Sequence, residues 1–291
     1  MAPPEAVYIS ALIALFVSFL FGITSHIQNL GLDHLDARAG TIVIIGTTAL
    51  AMWLLTPFYF SPDMLATRAA AYFALAGLVV PAISLSLATQ SVRIMGPSLT
   101  QGLASTSPMF AMFLAVILVG EQLTAGVFIG TMVVVGGVML VVLRGKGPAR
   151  SWPLWAISLP FGAAVARAIS HPVTKLGLLE LPSPMTAALF ASTVSIIVLY
   201  AVYRLGGRRM PPLNRGYLWF ALCGLINAVG LTLLNVALEI GNVVVVSPII
   251  AAAPVFTMLT GYLYFKREVI TARMVAAIAL IFAGCILIVF R

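Results

Sequence analysis

The sequence predicts an all-α polytopic membrane protein: ten transmembrane helices forming two inverted five-helix repeats around a central cavity. Composition is the first sign. Of 291 residues, 62% are hydrophobic and 8% charged, with a mean hydropathy of +1.11, a balance that belongs in lipid. Second, ten apolar runs of about 20 residues, the length a helix needs to cross a bilayer, lie near 5–29, 39–60, 69–92, 97–119, 124–143, 152–176, 184–205, 214–238, 243–265 and 271–290. Third, the chain repeats itself. Glu121, Thr124, Gly137 and Arg144 recur as Glu268, Thr271, Gly284 and Arg291 at a spacing of 147, while Pro108-Met-Phe matches Pro254-Val-Phe and Leu30-Gly-Leu matches Leu176-Gly-Leu at 146. The expected repeats are 1–146 and 147–291. Five runs per copy is an odd number, so alternating helices insert the second copy upside down.

The first run is not expected to be a cleavable signal: it lacks a basic leader and a small-residue cleavage site before hydrophilic chain. Links between runs are short and leave no room for a soluble domain. Cys223 and Cys285 fall inside apolar runs and read as packing residues, not as a disulfide or metal site. The basic balance reports topology and not nucleic acid, because the arginines form no exposed stripe. One side of the bundle collects Arg38, Arg93, Arg144, Lys146, Arg150, Arg204, Arg208, Arg209, Arg215, Lys266, Arg267 and Arg273; the other holds Arg68, Lys175 and Arg291. The positive-inside rule makes the first side cytoplasmic and turns both termini outward.

Polar groups at mid-membrane depth are costly unless they face a cavity or a partner, so they are the candidates for function. In the first run Ser18, Gly22, His26, Asn29 and Asp33 share one helix face. His26 and Asn29 are placed to line a cavity, although a membrane histidine also commonly satisfies a neighbouring backbone group. The third run, with Pro81 upstream, offers Ser86, Gln90 and Arg93. The fourth is the most polar, with Ser98, Gln101, Ser105 and Pro108 on one face, and Thr100, Thr106 and Ser107 beside them.

The fifth run opens with Glu121 and Thr124, as the tenth opens with Glu268 and Thr271. Each carboxylate suits the positive N-terminal end of a helix, with gating through a basic loop residue as the alternative. Gly130, Gly136 and Gly137 allow close helix packing. The sixth run carries Arg167, His171 and Lys175 at i, i+4 and i+8, close to one face, with Pro172 positioned to free the Ala168 carbonyl. A basic stripe pointing inward suits an anionic group; capping carbonyls or pairing with another helix is the other reading of Arg167, and reaching the interface that of Lys175. The eighth run holds Asn227 and Asn235, with Glu239 beyond; either amide can meet a polar substrate or hydrogen-bond between helices. The ninth is far more apolar, with Ser247 ahead of Pro248 and Pro254. Pro108, Pro172 and Pro254 are candidate hinges.

None of the eight acidic residues lies at mid-membrane depth, so cation extrusion coupled to a buried carboxylate is poorly supported. Facilitated movement, or proton coupling through His26 or His171, remains. No HExxH, no GxSxG, no intramembrane aspartate pair and no cysteine–histidine cluster is present, which argues against an enzyme and against any metal or cofactor. The two copies do not repeat their polar positions, which argues against a channel. Two inverted copies around a midplane site is instead a carrier's architecture.

Gly120-Glu121-Gln-Leu-Thr124, followed by Gly130, Gly136 and Gly137 and preceded by Pro108, resembles the signature of the EamA branch of the drug/metabolite transporter superfamily. The second copy carries Pro254, Glu268, Thr271 and Gly284, but departs at Lys266 and Arg267, where a glycine is expected before the Glu, and at Ala277 in place of Gly130. The resemblance implies ten helices, alternating inward and outward openings, and efflux of small metabolites or drugs. Within the superfamily the chain looks most like the YddG-type exporters of aromatic amino acids. That implies export of aromatic or large neutral amino acids by a monomer in the inner membrane; a broader drug or metabolite exporter, proton-coupled through a histidine, is the alternative.

Overall fold

The computed structural model describes residues 4–84, 87, 90–91, 94, 103–142, 153–263 and 272–290. These residues are helical almost throughout. In chain order the α-helices are α1 (Pro4–Leu32), α2 (Ala37–Leu55), α3 (Arg68–Val79), α4 (Ser107–Leu114), α5 (Ala125–Val142), α6 (Ser158–Glu180), α7 (Pro184–Leu205), α8 (Arg215–Ile240), α9 (Val243–Ile250), α10 (Ala253–Leu263) and α11 (Ala272–Val289). Among the described residues five stretches are long and apolar enough to cross a membrane: Glu5–Leu32, Ala37–Phe58, Pro184–Leu205, Arg215–Ile240 and Val243–Leu263. Four more apolar helices are shorter: Arg68–Leu78, Ser107–Val119, Ala125–Leu140 and Val275–Val289. Helix α6 belongs to neither group, since Arg167, His171 and Lys175 dilute its apolar character.

Local chemistry sets several boundaries. Asp36 caps α2, its carboxylate accepting from the backbone N–H groups of Arg38 and Ala39; Thr67 and Asn214 cap α3 and α8 in the same way. The ninth run, which holds Pro254, is interrupted. Ala251 and Ala252 form a turn between α9 and α10, because Pro254 has no N–H to give the Ile250 carbonyl. A turn at Ser105 and Thr106 likewise precedes α4, whose first turn holds Pro108. The two breaks are 146 residues apart, the offset read from the sequence. Pro172, by contrast, lies inside an uninterrupted α6.

Contacts between α5 and α11 map onto themselves under the repeat. A Cβ added to Gly130 would stand 2.7 Å from the Gly284 carbonyl oxygen, and one added to Gly137 would stand 3.1 Å from that of Ala277. A shift of 147 carries Gly130 to Ala277 and Gly137 to Gly284, so each contact is the other's image. The later residue of one helix meets the earlier residue of the other, so the two helices run antiparallel, and self-matching contacts are what a two-fold axis produces. Gly136 does not join this contact, contrary to expectation: a Cβ there would meet nothing within 4 Å. It faces away from the crossing that Gly130 and Gly137 make.

The two ends of the bundle are assembled from distant pieces. At one end the start of α1, the end of α6 and the α8–α9 turn converge, with Gly241 packed against Ser10. At the other, Asn214 Nδ2 donates to the His34 carbonyl at 3.0 Å, and Phe220 packs against Gly31 and Gly40. The main buried cluster runs along α1, α8, α9, α5 and α11 between these ends.

Candidate substrate site and the mouth beside it

Helix α6 presents two opposite characters. With 3.6 residues per turn, Val165, Ile169 and Leu176 lie on one side, exposed or half-buried, and Arg167 lies opposite them. Around Arg167 on its own side stand Pro160, Ala163, Ala164, Thr174 and Leu178, all buried. Arg167 is nevertheless exposed. Arg167, near the middle of the helix, thus points away from the exposed side that Val165 marks.

His171 sits one turn further along the same face, half-buried, with Nδ1 3.2 Å from Ser247 Oγ on α9. Since α6 and α9 run in opposite directions, the turn back to Arg167 along α6 corresponds to the advance from Ser247 to the break at Ala251 along α9. Arg167 therefore stands at the level of the α9–α10 break. Next to it, Ser84 in the π-helical turn Val80–Ser84 donates to the Ala163 carbonyl at 2.9 Å. Phe110 and Phe161, both half-buried, meet edge to face at 6.4 Å.

The polar seam of α1 is engaged with the ninth segment. Ser18 Oγ donates to the carbonyls of Ala14 and Ile249 at 3.0 and 2.8 Å. His26 Nε2 lies 2.7 Å from the Thr257 carbonyl, and Thr257 Oγ1 donates to the Gly22 carbonyl at 3.3 Å. Gly22 permits this approach, since a Cβ there would stand 2.7 Å from Phe256 Cβ. Asn29 and Gln90 are exposed, and Ser105 is half-buried in the turn before α4. Asn227 Nδ2 donates to Thr48 Oγ1 at 3.0 Å, and Asn235, buried, donates to the Pro184 carbonyl at 3.1 Å. Ser98, Gln101, Ser86, Arg93, Glu268 and Thr271 lie outside the described residues.

Two charged side chains serve helix ends that the sequence did not reveal. Glu121 Oε1 and Oε2 accept from the backbone N–H groups of Val243 and Val244 at 2.8 and 2.9 Å. The carboxylate thus caps α9, in the other repeat, where a cap for the fifth run's own start was expected. Lys175 does not simply reach the interface. It is buried, and Nζ donates to the carbonyls of Leu238, Glu239 and Gly241. Thr48, one of three threonines in the otherwise apolar α2, carries no sequence signal that sets it apart from Thr41 and Thr47. Among the described residues no group of three His, Cys, Asp or Glu side chains is placed to hold a metal ion.

A profile of the EamA-like transporter family matches residues 8–143 and again 154–290. The chain belongs to that family. It is accordingly a multi-pass membrane transporter with a two-repeat fold, and not an enzyme. Among solved structures, one described only as "Crystal structure of protein" superposes with a TM-score of 0.78 at 15% identity, covering 96% of this chain and 95% of its own. That likeness is one of fold. No curated protein matches this EamA-like transporter in sequence.

Proposed function

We propose that this EamA-like transporter is an inner-membrane carrier that exports amino acids, chiefly aromatic or large neutral ones, by alternating access. Its frame is ten transmembrane helices in two inverted repeats, residues 1–146 and 147–291, acting as a monomer with both termini outside. Support for the inversion comes from the α5–α11 crossing and from the matching breaks before Pro108 and Pro254. The observation that carries the substrate reading is Arg167, accessible on an otherwise buried helix face at the level of the α9–α10 break. A guanidinium there suits a carboxylate, which it can hold through two parallel hydrogen bonds.

One arginine fits a mono-anionic head better than a phosphate or nucleotide. Phe161 on α6 and Phe110 on α4, which meet edge to face, offer apolar surface for a ring. Asn227, His171, Gln90 and Ser105 are the further candidates for the polar head, with Asn29 toward the end where His34 meets Asn214. Ser98 and Gln101 stay candidates on sequence grounds. Ser18, His26 and Asn235 hold neighbouring backbone carbonyls, a positioning role for the helices around the site. Pro108 and Pro254, each just past a break, suit a hinge.

The test is counterflow of labelled phenylalanine in proteoliposomes, with competition by other amino acids and by their methyl esters. Competition by free amino acids and none by esters is expected. Equal competition by esters, or equal transport by Arg167→Ala, overturns the assignment.

A further inference from the structure

The α8–α9 turn brings two opposite helix ends within a few residues of each other. Helix α8 ends at Ile240 with its carbonyls, the negative end of its dipole, and α9 begins at Val243 with its N–H groups, the positive end. Each end meets the charge that complements it. Lys175 Nζ donates to the carbonyls of Leu238, Glu239 and Gly241 at 2.6, 3.0 and 2.8 Å. Glu121 accepts from Val243 and Val244 at 2.8 and 2.9 Å. The two charges come from different repeats.

The residues that meet at this turn are tightly packed. Val243, Val244, Val245 and Val246 are all 0% exposed, and Lys175 is 8% exposed. The repeat offset supplies an internal comparison. Leu30-Gly-Leu matches Leu176-Gly-Leu at 146, so Asn29 is the first-copy counterpart of Lys175. Asn29 is exposed, near the opposite end. The same repeat position is thus buried at one mouth and open at the other.

We propose that Glu121 and Lys175 form a latch that holds the α8–α9 mouth shut, and that its release opens the route to Arg167 from that side. A charge-assisted bond in a dry mouth is strong while closed and is replaced by water once the turn lifts. The latch does not rest on the identity of the substrate.

The test uses a chain with Cys223 and Cys285 replaced by alanine and a reporter cysteine at Ser247, a 4%-exposed position between the latch and Arg167. A cysteine at the exposed Glu180, near the same mouth, marks vesicle orientation. A membrane-impermeant maleimide is applied from the Glu180 side. Glu121→Gln keeps the shape but can accept only one of the two N–H groups, and Glu121→Gln with Lys175→Met removes both charges together. We expect labelling at 247 from that side to rise about tenfold in either variant, as losing one bond to a charged group allows. A double variant that is monodisperse on gel filtration yet labels at the parent's rate overturns the latch. So does one that does not fold, since the pair would then be a structural clamp.

Discussion

Gly130 and Gly284 meet backbone to backbone: a Cβ on either would stand 2.7 Å from the carbonyl oxygen of the other. Ile288 Cγ1 and Val134 Cγ2 stand equally close, but the two carbonyl oxygens are backbone and cannot give way as a side chain can. The contact joins the fifth run of one copy to the last run of the other, and Gly137 with Ala277 repeats it further along. Small residues at such crossings let dispersion act over the whole helix length, which in lipid must stand in for the hydrophobic effect.

Gly130→Ala and Gly284→Ala are therefore expected to destabilise the protein by about 1–3 kcal/mol, the usual cost of forcing extra volume into a close-packed contact. Gly136→Ala meets open space and is expected to be neutral or slightly stabilising through better helix propensity. Thermal unfolding in detergent, followed by gel filtration, checks the contrast. Equal melting for all three would mean that the crossing is looser than described.

Arg167→Lys keeps the charge but not the planar pair of donors. Loss of a bond to a charged group is worth about 1.5–3 kcal/mol, so Arg167→Ala is expected to raise KM for a carboxylate substrate roughly 10–100-fold, with Arg167→Lys between it and the parent. Initial-rate measurements over a substrate series would show this. An unchanged KM in both variants would place the carboxylate elsewhere.

Facilitated movement makes a separate prediction about His171, which stands between Arg167 and Lys175 on one helix face and against Ser247 across the interface. His171→Gln can keep the hydrogen bond to Ser247 without titrating. Transport by that variant should retain the parent's dependence on pH, and neither protein should build or follow a pH difference across sealed vesicles. A pH-driven uphill flux that disappears in His171→Gln would instead make the proton the coupling ion.

The frame of the molecule was legible because membrane helices announce themselves through length and apolar content, and because a duplication leaves its offset at Pro108, Pro254, Glu121 and Glu268. The prolines also foretold that the fourth and ninth runs would not be regular, though not that the chain would break before them. Pairing was not legible. Glu121 reads as a cap for the helix it precedes, yet its partners lie 122 and 123 residues away, and no local pattern encodes that. Lys175 looked like an interfacial lysine because the α8 carbonyls it meets are brought there only by the tertiary fold. The Ser18–Gly22–His26 seam was correctly read as one face, but a face can turn to a cavity or to a neighbouring helix, and the choice depends on Thr257 and Ile249 in the other copy.

Asn227 tests how far a mid-membrane amide can be claimed for substrate. Its Nδ2 donates to Thr48 Oγ1, which itself lies 2.9 Å from the carbonyls of Ile44 and Gly224, so the pair ties α2 to α8. Double-mutant cycles on such bonds in membranes average about 0.6 kcal/mol and reach about 1.7. Thr48→Val and Asn227→Leu should therefore each cost stability, with a coupling of that size in the double variant. If Asn227 also holds the substrate head, Asn227→Leu will raise KM while Thr48→Val, which leaves the amide in place, will not. Equal effects on KM from both would assign the pair to scaffold alone, with Arg167 left to orient the head group.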